Sequence, residues 1–129
     1  MPATGSVMHL HLRYRLWIAE MNAAINVLRI FNDYLLEMEA KQLPPVVMKG
    51  IANFKNRFAS LRKEIDELSH EMHLIKMKLA AAARENKPLD KKSAREDNHR
   101  GLKKRYSVFR KTFNRLKKEF AQFEGKWLR

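Results

Sequence analysis

The apolar positions of this chain recur at alternating spacings of four and three. From Leu10 the series runs through Tyr14, Trp17, Met21, Ala24, Leu28, Phe31 and Leu35 to Met38 without a miss. A second begins at Val47 and continues through Ile51, Phe54, Phe58, Leu61, Ile65, Leu68, Met72, Ile75 and Leu79 to Ala82. A third starts at Leu102 and takes in Tyr106, Phe109, Phe113, Leu116, Phe120, Phe123 and Trp127. A repeat of about 3.5 residues lays one stripe along one side of an α-helix. Each segment therefore predicts an amphipathic helix with a coiled-coil-like seam.

The punctuation between the stripes agrees. Pro44 disfavours helix at Leu43, and Pro45 is tolerated in the first turn of the next helix, so the first connection is tight. The second break is Asn86-Lys87-Pro88, after which Ser93-Ala-Arg-Glu96 matches a capping box. Residues 90–100 carry no apolar stripe and read either as a loop or as a solvated helical extension. The predicted elements are helix 1 over about 10–42, helix 2 over about 45–86 and helix 3 over about 93–128. At about 1.5 Å per residue they are roughly 50, 60 and 40–55 Å long. The expected fold is all-α: an elongated, antiparallel, up-down-up three-helix bundle with heptad seams. It forms one domain over 10–129, after a disordered leader at 1–9 in which Met8 is an alternative start.

Composition narrows the class. Four Gly and four Pro in 129 residues are too few for a turn-rich β protein. The absence of Cys removes disulfides, thiolate metal sites and a Cys nucleophile. No apolar run approaches the roughly 18 residues of a membrane span, and the first residues lack the apolar core of a secretory signal. The expected setting is cytoplasmic. Lys and Arg number 27 against 14 Asp and Glu, a net charge of +13, which attracts polyanions. Residues 10–42 carry four basic and four acidic side chains, 43–86 carry eight and five, and 87–129 carry fifteen and five. The positive charge is thus concentrated on helix 3 and the linker before it.

Helix 3 contains KKRYSVFRKTFNRLKKEF, at residues 103–120, in which cations and rings alternate. Rings that stack nucleobases must be exposed. Here Tyr106, Phe109, Phe113 and Phe120 all fall on the apolar stripe, so they are expected in the core, together with Phe54, Phe58 and Leu61. The cations fall elsewhere. With Tyr106 as heptad position a, position e holds Lys103, Arg110 and Lys117, and position f holds Lys104, Lys111 and Lys118. Arg105 and Arg115 flank them. A generic solvated face mixes signs, because like charges at i,i+4 destabilise a helix. One sign over several turns points to an anionic surface opposite: nucleic acid, an acidic protein or lipid headgroups. The pattern supports non-specific electrostatic docking and contains nothing that reads bases.

Helix 1 carries a second 4-3 series, Leu12, Leu16, Ala19, Ala23, Asn26 and Ile30, opposite the first. One bundle face cannot bury both. Either helix 1 lies between its neighbours in a flattened arrangement, or Leu12, Leu16, Ala23 and Ile30 form an interface with another chain, with a homodimer expected. Asn26 in such a seam could set the register of a self-paired helix.

Other chemistry is sparse. Glu67-Leu-Ser-His70 and Glu96-Asp-Asn-His99 match the Glu-x-x-His spacing of di-iron bundles, but Glu67 and His70 fall on the outer side of helix 2. His70 with His73 is an adventitious surface metal pair at most. No Gly-rich phosphate loop and no nucleophile context for the serines appears. No catalytic residue, cofactor or metal is expected. Two function classes remain, a basic helical module docking a polyanion through helix 3 and a structural or adaptor protein using the second face of helix 1. A helical metalloenzyme is a remote third.

Overall fold

The computed structural model describes residues 3–85 and 96–129, with side chains from Val7 to Glu85 and from His99 to Arg129. Three α-helices account for most of it: α1, Ala3–Glu39; α2, Pro45–Arg84; and α3, Glu96–Phe123. A π-helical turn, Glu124–Leu128, continues α3. No strand occurs among the described residues, so the protein is all-α. No helix among them is long and apolar enough to cross a membrane.

α1 corrects one expectation. It begins at Ala3, within the stretch expected as a disordered leader, and Val7 is buried. Val7 precedes Leu10 by three and Tyr14 by seven, so it continues the stripe backwards and gives the early turns something to pack. At the other end α1 stops at Glu39, short of 42. The Lys41 N–H donates to the Met38 carbonyl at 3.1 Å, and Gln42 takes a left-handed conformation with φ of 54°. That conformation commonly ends helices and suits glycine better than glutamine.

Pro44 then extends the chain (φ −55°, ψ 150°) and Pro45 opens α2. The Pro44 carbonyl accepts from the N–H groups of Val47 and Met48 at 2.9 and 3.0 Å, the first bonds of the new helix. α2 ends at Arg84, where the Glu85 N–H donates to the Ala81 carbonyl. The Asn86-Lys87-Pro88 break and Ser93 of the capping box lie outside the described residues.

Burial falls mainly on the stripe positions; the exception in α1 is Ile18, off the stripe but buried, beside the stripe residue Trp17, which is only partly buried. Val47, Ile51, Phe54, Phe58, Leu61, Ile65, Leu68, Met72 and Leu79 are the buried residues of α2. Tyr14, Met21, Ala24, Leu28, Leu35 and Met38 join them from α1, and Leu102, Tyr106, Phe109, Leu116 and Phe120 from α3, in one core cluster. Phe120 sits among the rings of Phe31, Phe58, Phe54 and Tyr34 at centroid distances of 4.5, 5.4, 5.5 and 6.4 Å. Phe113 departs from the expectation of burial: it is only partly buried, at the edge of the core.

Trp127 departs as well. It is 42 % exposed, while Leu128 is buried. A π-helical turn bonds i to i+5 and is one residue wider than an α-turn. Five residues after Phe123 the inward place therefore falls to Leu128, and Trp127 is rotated outward. Phe123 itself lies against α2 at Gly50, where a Cβ would come within 2.5 Å of the Phe123 ring. Glycine at position 50 lets that ring close down on the backbone of α2.

The side-chain pairs between helices have a definite order. Tyr14 meets His99, Trp17 meets Tyr106, and Phe31 and Tyr34 meet Phe120, so contacts advance together along α1 and α3. Along α2 and α3 they run oppositely: Arg57 pairs with Glu119 and Glu71 with Arg105. Lys55 near the start of α2 reaches Glu39 at the end of α1 at 3.2 Å. These ion pairs are half-open to solvent and contribute about 0–1 kcal/mol each, so the order is held mainly by the rings and aliphatic side chains beneath them.

Candidate polyanion-binding face

The cations of α3 divide by heptad position, and the division decides which are available. Arg105 shares the α2 side of the helix with Glu119. Its guanidinium donates to the Glu71 carboxylate, as the Arg57 guanidinium donates to Glu119. Arg105 is therefore already neutralised by a neighbour. Lys103, Lys104, Arg110, Lys111, Arg115, Lys117 and Lys118 enter no salt bridge among the described residues, and all but the partly buried Lys117 are exposed. The Lys117 ammonium rests 4.6 Å from the centroid of the Phe113 ring, a contact that uses the exposed side of that ring.

Toward α1, two e-position cations and Lys111 of position f become the rim of a groove. Lys103, Arg110 and Lys111 line a space of about 370 Å³ with Tyr106, Ser107 and Asn114 of α3 and Arg13 and Trp17 of α1. The groove continues in both directions. One way it reaches Leu10, Tyr14, His99 and Arg100, and the other way Glu20, Ala23, Val27, Phe113 and Lys117. Its floor is aromatic, with Trp17 stacked on Tyr106 at 5.1 Å, set edge-on to Tyr14 at 5.3 Å and covered by Arg13 at 5.1 Å. Engaged in this way, Trp17 supports the groove rather than offering a free face to a ligand.

Arg13 is the residue that sequence reasoning missed. It lies in the charge-balanced segment 10–42, and only the packing of α1 beside α3 brings it to the cations of α3. One signal was present: Arg13 follows Leu10 by three and precedes Trp17 by four, so it shares a helix side with two stripe residues.

At the upper end of the groove the Tyr14 hydroxyl lies 2.6 Å from His99 Nδ1. Burial pushes the Tyr14 hydroxyl up to about 12, so it stays protonated at neutral pH. His99 Nε2 and the Tyr106 hydroxyl are buried without a protein partner. His99 thus packs against Tyr14 of α1. Glu67 and His70 are exposed on α2, and no group of three acidic or His side chains placed to hold a metal occurs among the described residues. The second apolar series of α1 is exposed along its length: Leu12, Leu16, Ala19, Ala23, Asn26 and Ile30. No protein-family model, curated protein or solved structure matches the chain.

Proposed function

We propose that this chain is a small basic interaction module, an antiparallel up-down-up bundle with coiled-coil-like seams, that docks a polyanion through α3. Nucleic acid is the first choice of ligand, bound without sequence preference, in a cytoplasmic protein that is not an enzyme. The observation that carries the reading is the run of same-sign side chains with no acidic partner: Lys103, Lys104, Arg110, Lys111, Arg115, Lys117 and Lys118. Leaving so many like charges uncompensated over four turns opposes the helix, and an anionic surface would relieve it. Arg13 extends the cationic rim from α1, whereas Arg105 contributes least because Glu71 already balances it.

Binding to random duplex DNA should follow counterion release. If Lys104, Arg110, Lys111 and Lys118 meet four phosphates, log K falls against log salt with a slope of about −3.6. Lys111→Gln with Lys118→Gln should shallow the slope to about −1.8 and weaken all sequences alike. Arg105→Gln should leave it nearly unchanged. Absence of binding to any DNA or RNA at about 50 mM salt, with the fold intact, would retire nucleic acid as the ligand.

A second reading is a structural or adaptor protein that meets another protein or a second copy of itself through α1. The exposure of Leu12, Leu16 and Ile30 favours it.

A further inference from the structure

α1 keeps one apolar side out of the core. Leu12 is 49 % exposed, Leu16 57 % and Ile30 58 %, in a 4-3 series with Ala19, Ala23 and Asn26. The same series reaches His9 before Leu12 and Asp33 after Ile30, so ionisable side chains close it at both ends. We propose that a second copy of this chain covers this side, with the two α1 helices forming a parallel, in-register coiled coil in which Asn26 faces its own counterpart. The proposal deepens the self-association reading and rests on it.

Charge selects both the occupant and the direction. Two chains of net charge +13 repel, and α1 is the segment with the least net charge, since residues 10–42 carry equal numbers of acidic and basic side chains; its e-position side borders the α3 cations Lys103, Arg110 and Lys117, so the attraction has to come from the g-to-e pairs. With Leu12 as d and Leu16 as a, the flanking e positions hold Arg13, Glu20 and Val27, and the g positions hold Arg15, Asn22 and Arg29. In a parallel pair each g residue faces the e residue five positions on in the partner. Arg15 then faces Glu20, and symmetry makes the pair twice. Neither residue enters a salt bridge among the described residues, so both are available.

An antiparallel pair that used the same six seam positions would set Leu12 against Ile30, Leu16 against Asn26 and Ala19 against Ala23. Its flanks would then bring Glu20 against Glu20 and Arg15 against Arg29, like charge on like charge at every charged position except Arg13. It would also press the Asn26 amide onto a leucine, leaving a polar group without a partner. The parallel register instead gives Asn26 a second amide with matching donors and acceptors. Asn26 falls at position d of this seam, where only its own counterpart offers a matching partner, at some loss of stability relative to an apolar side chain.

The absence of native Cys makes the test direct, because a single introduced thiol has only its counterpart to react with. Leu12 is exposed, so Leu12→Cys should fold as the parent does, as circular dichroism would show. Light scattering to high-micromolar concentration should show the mass rising from 15.3 kDa toward twice that value. Mild oxidation should then link Leu12→Cys to itself, and Ile30→Cys to itself. Arg15→Glu should weaken dimerisation severalfold, and Arg15→Glu combined with Glu20→Arg should restore it. A dimer that links Leu12→Cys only to Ile30→Cys, and that Arg15→Glu strengthens, would overturn the parallel register while leaving self-association standing. A monomer mass at every concentration, with helicity intact, would overturn both.

Discussion

Replacing Phe120 by alanine removes the ring on which the three helices converge. Phe120 is 5 % exposed and is surrounded by Phe31, Tyr34, Phe54 and Phe58. Deleting a buried phenylalanine removes its transfer free energy and leaves a cavity, together about 3–5 kcal/mol. Ring pairs at about 0.5–1.5 kcal/mol each place Phe120→Ala toward the upper end. Unfolding entropy of about 2.1 cal/mol/K per residue gives this chain roughly 0.27 kcal/mol/K, so the melting temperature should fall by about 11–18 °C. The comparison that gives the number meaning is Phe113→Ala. Phe113 is on the same stripe, but it is partly open, stacked on Phe109 at 5.9 Å and touched by Lys117. It should lose roughly half as much, about 1.5–2.5 kcal/mol. Both are read by thermal and urea unfolding followed by far-ultraviolet circular dichroism, with the urea slope checked for constancy. If Phe113→Ala proves as damaging as Phe120→Ala, the placement of Phe120 at the centre and Phe113 at the rim is wrong.

Gly50→Ala should destabilise by about 1 kcal/mol, because the strain of moving Phe123 exceeds the helix-propensity gain. Combined with Phe123→Ala the two losses should be less than additive, and full additivity in a double-mutant cycle would show that the close approach is absent. Gln42→Gly should stabilise by about 0.5–1 kcal/mol, since the left-handed conformation strains a side chain but not glycine, and melting temperature reads it. Burial first, then the Arg15 and Lys76 cations, hold the His11 imidazole below its ordinary value. The folded state therefore favours neutral His11. Its stabilising contribution is present above about pH 6.5 and is lost as pH falls through the lowered value. His11→Gln should flatten that part of a stability–pH curve.

Much of the fold was legible because a helix turns at a constant rate. A 4-3 series of apolar residues can only mark one side of a helix. The residues at those positions from Val47 to Leu79 and from Leu102 to Phe120 are accordingly buried or partly buried. Pro44 and Pro45 marked the first connection for an equally local reason, a missing N–H and a restricted φ. The excess of positive charge on 87–129 and the spare apolar series on α1 were likewise properties of the chain itself.

Periodicity says which side of a helix faces inward, but it carries no distance to the neighbouring helix. Three things therefore waited for the tertiary structure. Whether a stripe position is central or peripheral depends on how three helices close around it, which separates Phe120 from Phe113. A change of helical pitch resets the register without altering the pattern, which is why Leu128 is buried and Trp127 is not. Which cations are free depends on what lies across the groove. Glu71 takes Arg105, and Arg13 joins Lys103 and Arg110 from a helix distant in sequence. Coulomb interactions act through space between groups the chain places far apart, so no window of sequence contains both partners.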